Sequence, residues 1–333
     1  MNKEKKSLLR LVDDFSGKKI AVWGDFILDE YIFGTTRRIS REAPVLIISY
    51  RRSEYSLGGA GNAVLNLKAL GAEVLPIGVI GSDASGKKIL HILRKNGVTT
   101  EYLIADRKFQ TPVKTRILAG EETARKQQIL RIDREEKVSD SSALKQKIQR
   151  LVQNIQSKVN ALLVSDYNYL TVKEDIFRRI QPGFKKKGIP IALDSRFRLL
   201  NFKGAAIFTP NEPEVEGALH IQIDDNSQLL KKAGKELLQR SEAAAVLITR
   251  GSQGMVLFEK GKPPFTIPIH GTTDIVDVTG AGDTVISVFT LALTCGATFK
   301  QAAQLANYAG SVVVMKKGTA TLSASELKDA ILS

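Results

Sequence analysis

The stretch Asp277-Val278-Thr279-Gly280-Ala281-Gly282-Asp283-Thr284 brings carboxylates, hydroxyls and small side chains together just before an apolar run, Thr284 to Ala297. Small residues at 280 to 282 let a ligand approach the backbone, and the N–H groups of a helix N-terminus point at whatever anion sits there. The chemistry such a turn suits is stabilisation of a transferring phosphoryl group. Asp283 falls in the first turn of the expected helix, where its carboxylate either takes a proton from an attacking hydroxyl or merely caps the helix. Asp25, Asp166 and Asp194 compete for the role of base, but only Asp283 follows a phosphate-binding glycine turn.

Other chemistries lack their residues. The one cysteine, Cys295, lies inside the apolar run and reads as a packed thiol, and His91, His220 and His270 are too scattered for a metal site. The net charge of +14 suits phosphate-bearing ligands, anionic surfaces or nucleic acid. Its charges are dispersed, however, and the densest groups, Lys3 to Lys6 and Lys185 to Lys187, read as solvated faces. With no RNP-type motif, phosphorylated small molecules are the expected partners and nucleic acid is not. The apolar run is too short to span a bilayer and is interrupted by Ser287, Thr290 and Thr294. The N-terminal residues lack a signal-peptide core, so no membrane is expected and the cytoplasm is the expected location.

A chain of 333 residues, 43% of them apolar, can bury one large core, and we expect a single domain over 1–333. Strand-like runs at 19–23, 74–80, 161–165, 189–193, 205–208 and 246–249 alternate with helical patterns near 60–70, 86–96, 142–156, 172–187 and 227–240. This alternation predicts an α/β sandwich around a mainly parallel sheet, with ligands at the carboxyl ends of the strands. Those ends carry Gly24-Asp25, Ser165-Asp166, Asp194-Ser195, Pro210-Asn211 and Thr249-Arg250-Gly251. Extended runs at about 31–55 and 108–133 break the rhythm. They predict either irregular hairpins or a small β-sheet, a lid inserted twice into the core that shields phosphoryl transfer from water.

The glycine turn around Asp283 resembles the C-terminal signature of the ribokinase-like (PfkB) carbohydrate kinases, and Leu57-Gly58-Gly59-Ala60-Gly61-Asn62 resembles their N-terminal signature. Gly24-Asp25, Thr209-Pro210-Asn211-Glu212-Pro213-Glu214 and Thr249-Arg250-Gly251 extend the likeness over most of the chain. The resemblance implies a ribokinase-like three-layer α/β sandwich with a small β lid, and ATP and Mg²⁺ as cofactors. It makes Asp283 the base, with Gly280, Ala281 and Gly282 stabilising charge on the γ-phosphoryl group. Asp25, Gly58, Gly59 and Asn62 would hold the sugar, Asn211 and Glu214 would organise Mg²⁺ through water, and Thr249, Gly251, Gly254 and Asn307 would border the nucleotide. Asp277, Thr279 and the Gly318 carbonyl would hold a monovalent cation such as K⁺. For Gly58 and Gly59 a simple turn, and for Asn211 a helix cap, remain alternatives.

A narrower likeness, carried by residues 24–31, 38–45, 111–116, 127–133 and Ser165-Asp166-Tyr167, is to the kinase half of the enzymes of ADP-heptose synthesis, which serves the lipopolysaccharide core. It implies D-glycero-D-manno-heptose 7-phosphate as substrate, with Asp166 nearby and Lys114, Arg116 or Arg196 facing its phosphate. It also implies a homodimer through exposed lid strands. Asp194-Ser195-Arg196, Asn168-Tyr169 and the 120–125 segment depart from the pattern near the expected sugar site. The sequence has no His-x-Gly-His element, so a separate enzyme is expected to supply adenylyl transfer. A kinase for another sugar or sugar phosphate, or a non-catalytic sugar- or nucleotide-binding regulator, is the rival; intact Asp283 argues against the regulator.

Overall fold

A computed structural model describes residues 3–120, 126–224, 226–271 and 275–333. The lengthened segment at 120–125 falls, from Glu121 on, outside the described residues. Strands are β1 (Lys19–Gly24), β2 (Phe26–Ile39), β3 (Leu46–Gly59), β4 (Glu73–Gly81), β5 (Leu103–Asp106), β6 (Val113–Gly120), β7 (Gln127–Arg134), β8 (Ala161–Asp166), β9 (Ile191–Ser195), β10 (Ile207–Phe208), β11 (Ala245–Thr249), β12 (Met255–Glu259) and β13 (Phe265–Ile267). Helices are α1 (Lys3–Asp13), α2 (Ala60–Ala69), α3 (Ala84–Lys95), α4 (Ser142–Asn154), α5 (Glu174–Lys186), α6 (Glu212–Leu219), α7 (Ser227–Ser241), α8 (Ala281–Thr294), α9 (Phe299–Val313) and α10 (Ala324–Leu332).

The large sheet has the order β13-β12-β11-β10-β9-β8-β1-β4-β5, parallel from β11 to β5 and antiparallel at β12 and β13. Strand β1 shows why it is central. Ile20 and Val22 join the apolar cluster of α1, α2, α8, α9 and α10 on one face, while Ala21 and Trp23 join that of α4, α5 and α7 on the other. Helices thus cover both faces, as the alternating strand and helix patterns predict. Among the described residues no helix is long and apolar enough to cross a membrane.

The small sheet has the order β3-β2-β6-β7. Its strands reach further than the runs at 31–55 and 108–133: β2 starts at Phe26 and β3 runs to Gly59. Phe26, Ile27, Leu28 and Leu57 are buried at the root of this sheet, so the polar alternation that marks a half-exposed strand is missing there. Asp25 alone separates β1 from β2, and Gly59 passes directly into α2. The roots of both sheets therefore meet at the carboxyl end of β1. Strand β10 is shorter than the run at 205–208, starting at Ile207.

Candidate active site

Helix α8 starts after Gly280, whose φ of 78° lies in the left-handed region and whose turn no side chain caps. A Cβ at Gly280 would lie 2.4 Å from Asn62 Nδ2, so backbone conformation and space both require glycine. Asp283 sits one turn in and is 3% exposed. Its Oδ2 accepts from Asn62 Nδ2 at 2.9 Å and its Oδ1 from the Tyr167 hydroxyl at 3.1 Å. Burial pushes its pKa up to about 7, against the opposing pull of those two donors and of Lys114, with Asp29 adding to the rise. Such a carboxylate exchanges a proton near neutrality, as a general base must.

The turn from Tyr167 to Thr171 aims that hydroxyl. Asn168 and Leu170 both have left-handed φ, 66° and 67°, a conformation that Asn adopts readily and Leu rarely. Asp25 holds the turn by accepting from the backbone N–H groups of Tyr167 (2.8 Å), Tyr169 (3.1 Å) and Thr171 (3.1 Å). Burial, reinforced by the charge of Asp166, nevertheless raises the Asp25 pKa to about 6. Asp25, expected to hold sugar hydroxyls, has three of its acceptor positions occupied by backbone N–H groups. Gly58 and Gly59 end β3 beside it. A Cβ at Gly58 would lie 2.6 Å from Asp29 Oδ2, and Gly59, at φ 56°, turns the chain into α2.

Of the cations expected at a substrate phosphate, Arg116 is engaged elsewhere: its guanidinium pairs with the buried Asp29 carboxylate and lies over the Tyr31 ring. Asp166 is likewise engaged, by Arg198 and by the Ser195 hydroxyl at 2.6 Å. Lys114 and Arg196 remain. They line a cavity of about 470 Å³ with Arg131, Asp133, Tyr167 and Tyr169. Burial, and then the neighbouring Arg196 charge, lower the Lys114 pKa.

Tyr167 and Arg196 also line a second cavity, of about 350 Å³, with Asp194, Glu214, Gly282 and Asp283. Asp194 and Glu214 repel each other. Burial and that repulsion push Asp194 well up, and burial pushes Glu214 to about 7, with Arg196 opposing both. A divalent cation would relieve this crowding. Hard carboxylate oxygens of this kind suit Mg²⁺. Asn211 caps α6: its side chain accepts from Glu214 N, and Glu214 Oε2 accepts from Asn211 N, both at 2.9 Å. The Oε1 atom of Glu214 lies outside this capping box.

A third cavity, of about 410 Å³, shares Asn211, Thr249, Val278 and Gly282 with the second. Gly251, Gly254 and Asn307 line it with apolar neighbours such as Met255, Ile269 and Val285, a surface suited to a flat heterocycle. Asn307 Nδ2 donates to Pro268 O at 2.9 Å. The second cavity, which Asp283 lines, thus shares residues with both of the others.

Residues 18–326 match the model of the pfkB family of carbohydrate kinases. The chain belongs to that family. Among curated relatives, the bifunctional protein HldE of Desulfatibacillum aliphaticivorans is 40% identical over 94% of this carbohydrate kinase and 63% of its own length. That of Geobacter metallireducens is 38% identical over 92% and 61%. The kinase thus spans less than two thirds of these relatives. Among solved structures, Arabidopsis thaliana ribokinase complexed with ribose and ATP superposes with a TM-score of 0.70 at 22% identity, covering 95% of this chain and 99% of that one. Escherichia coli phosphofructokinase-2 in complex with fructose-6-phosphate gives 0.75 at 16%, covering 95% and 98%. These likenesses show the ribokinase-like fold.

In this carbohydrate kinase the loop ahead of α8 is tied to the 314–319 segment. Asp277 accepts from Thr279 N and Gly318 N, each at 2.9 Å. Burial would raise the Asp277 pKa, but these donors, with the Thr279 side chain, hold it below the usual value. An ionised carboxylate accepting one N–H on each oxygen keeps lone pairs for a monovalent cation, so the residues fit one. Sequence reasoning gave no role to Tyr167, Asp29 or Arg198. Tyr167 sits in a quoted motif, but its contact with Asp283 spans 116 residues and no local pattern announces it.

Proposed function

We propose that this carbohydrate kinase transfers the γ-phosphoryl group of ATP to O1 of D-glycero-D-manno-heptose 7-phosphate, for ADP-heptose synthesis. The observation that carries this reading is the pair of cations, Lys114 and Arg196, in a cavity that shares Tyr167 and Arg196 with the one lined by Asp283. A sugar with its acceptor hydroxyl at Asp283 and a phosphate at the far end fits that arrangement, and the relatives named HldE support it. Asp283 takes the proton of the acceptor hydroxyl as it attacks. The N–H groups of the 280–282 turn stabilise the charge on the transferring group. Thr249, Gly251, Gly254 and Asn307 border the adenosine in the apolar cavity. Mg²⁺ bound through water at Glu214 and the Asn211 turn would neutralise triphosphate charge, and K⁺ would sit at Asp277, Thr279 and the Gly318 carbonyl.

A cytoplasmic supply of ATP suits such a reaction. The small sheet leaves Ile39, Leu46, Tyr50, Leu130 and Ile132 exposed, an apolar surface that supports pairing of two such sheets in a homodimer. The test is ATP consumption across a panel of sugars and sugar phosphates. Heptose 7-phosphate should give the highest kcat/KM. Preference for a free sugar, or for a hexose phosphate, would overturn the substrate; no turnover on any would overturn the reaction.

A further inference from the structure

Asn62 presents an amide to Asp283, and an amide has two faces: one donates and the other accepts. Only the donating face supports a carboxylate. Gly280 O, which can only accept, favours that face at 3.2 Å, and a second constraint lies one helical turn further along α2, at Asn66, which is wholly buried. Its Nδ2 donates to Asn62 Oδ1 at 3.1 Å and also to Asn62 O at 3.1 Å. Its own Oδ1 accepts from the backbone N–H of Leu322 at 3.2 Å. A backbone N–H can only donate, so polarity is set from that end. Leu322 N–H obliges Asn66 to face it with oxygen, and the Asn66 amino group then faces Asn62. Asn62 must in turn face Asn66 with oxygen, which leaves its Nδ2 for Asp283 Oδ2 (2.9 Å) and Gly280 O (3.2 Å).

We propose that Asn66 is a positioning residue: anchored by Leu322 N–H, it sets the polarity of the Asn62 amide and so keeps a hydrogen-bond donor on the Asp283 carboxylate. Helix α2, the segment before α10 and the first turn of α8 are thereby linked through one buried line of donors. The inference rests on the reading of Asp283 as the base only for its kinetic readout. Charged and titratable groups facing Asp283 come from the small sheet (Asp29, Lys114), from the turn after β8 (Tyr167), and from across the cavity (Asp194, Arg196, Glu214). None of these touches Asn66 in the relay, so its loss should act through Asn62.

The experiment compares Asn66→Leu, Asn62→Ala and the double variant by the pH dependence of kcat. Losing a donor to the charged form raises the pKa of Asp283, so the acidic limb should move to higher pH by about one to two units, the equivalent of one charge-assisted hydrogen bond. The double variant should move it no further than Asn62→Ala. A merely structural Asn66 would lower the melting temperature and leave the limb in place, and that result, or additive shifts in the double variant, would overturn the proposal. A second measurement needs neither turnover nor a substitution at Asn62 or Asn66. In ¹⁵N-labelled wild-type protein the Asn66 side-chain amide protons should be protected from exchange, and the Asn62 amide signals should shift in one titration that Asp283→Asn abolishes. Rapid exchange at Asn66 in the folded protein would overturn the proposal even where Asn66→Leu fails to fold. Absence of sugar-dependent ATP turnover in the wild type would sink the kinase reading alone.

Discussion

The Tyr167 hydroxyl donates to Asp283 Oδ1 at 3.1 Å, and so a side chain of the β8–α5 turn holds one oxygen of the carboxylate at the N-terminus of α8. Burial alone would drive Asp283 towards its neutral form, and this donor and Asn62 oppose that drift. Tyr167→Phe should therefore raise the Asp283 pKa above about 7. The acidic limb of kcat moves up by about one pH unit, turnover at pH 7 falls roughly fivefold, and activity recovers at alkaline pH. A pH–rate profile checks this. An unmoved limb with a uniformly lower rate would show that the hydroxyl does not act on the base.

Asp283→Asn should lose turnover by roughly 10²–10⁴-fold, the usual contribution of a positioned base. It should also gain stability. The folded pKa of about 7 lies above the usual 3.8, so the native state holds a proton that the unfolded chain releases between those values. Wild-type stability then falls as pH rises through that window, whereas the amide does not titrate. The Tyr167 hydroxyl can turn to accept from the new amide. The variant should be more stable by on the order of a few kcal/mol at pH 8, with the gain fading towards pH 4. Melting temperatures at the two pH values decide it; an equal difference at both would remove the assigned pKa.

The turn around Gly280 was legible in the sequence because its signal is local: small residues, a left-handed position and an apolar helix are contiguous. The mainly parallel large sheet was legible too, since short apolar runs alternate with helical periods. What stayed hidden is pairing at long range. Arg116 meets Asp29 across 87 residues, and Arg198 meets Asp166 across 32. Before folding, each carboxylate and each cation looks equally available to a ligand. The backbone N–H groups that meet Asp25 likewise come from a turn more than 140 residues away.

Arg116 and Arg196 should separate as structure and site. The Asp29 carboxylate, 2% exposed, depends on the Arg116 guanidinium, and truncating one partner leaves a buried charge unpaired. Arg116→Ala should cost about 3–5 kcal/mol of folding stability, measured by denaturant unfolding, whereas Arg196→Ala, on an exposed side chain, should cost under about 1 kcal/mol. Equal losses would mean that the Arg116–Asp29 pair does not hold the root of the small sheet.

The substrate's phosphate gives the sharpest contrast among these residues. Lys114 and Arg196 repel each other in their cavity, and burial together with that repulsion weakens the hold of Lys114 on its proton. A dianionic phosphate between them would reverse both effects, restoring full charge on Lys114 and replacing repulsion by two charge-assisted hydrogen bonds. Neutralising either residue should cost about 1.5–3 kcal/mol of binding. The KM for heptose 7-phosphate in Lys114→Ala or Arg196→Ala should accordingly rise by roughly 10- to 150-fold, with kcat far less affected. Free heptose, which lacks the group that uses these contacts, should show nearly the same kcat/KM in variant and wild type, and the affinity for ATP should not change. Equal losses on both sugars would mean that Lys114 and Arg196 shape the cavity without reading a phosphate, and the substrate would then be sought among unphosphorylated sugars.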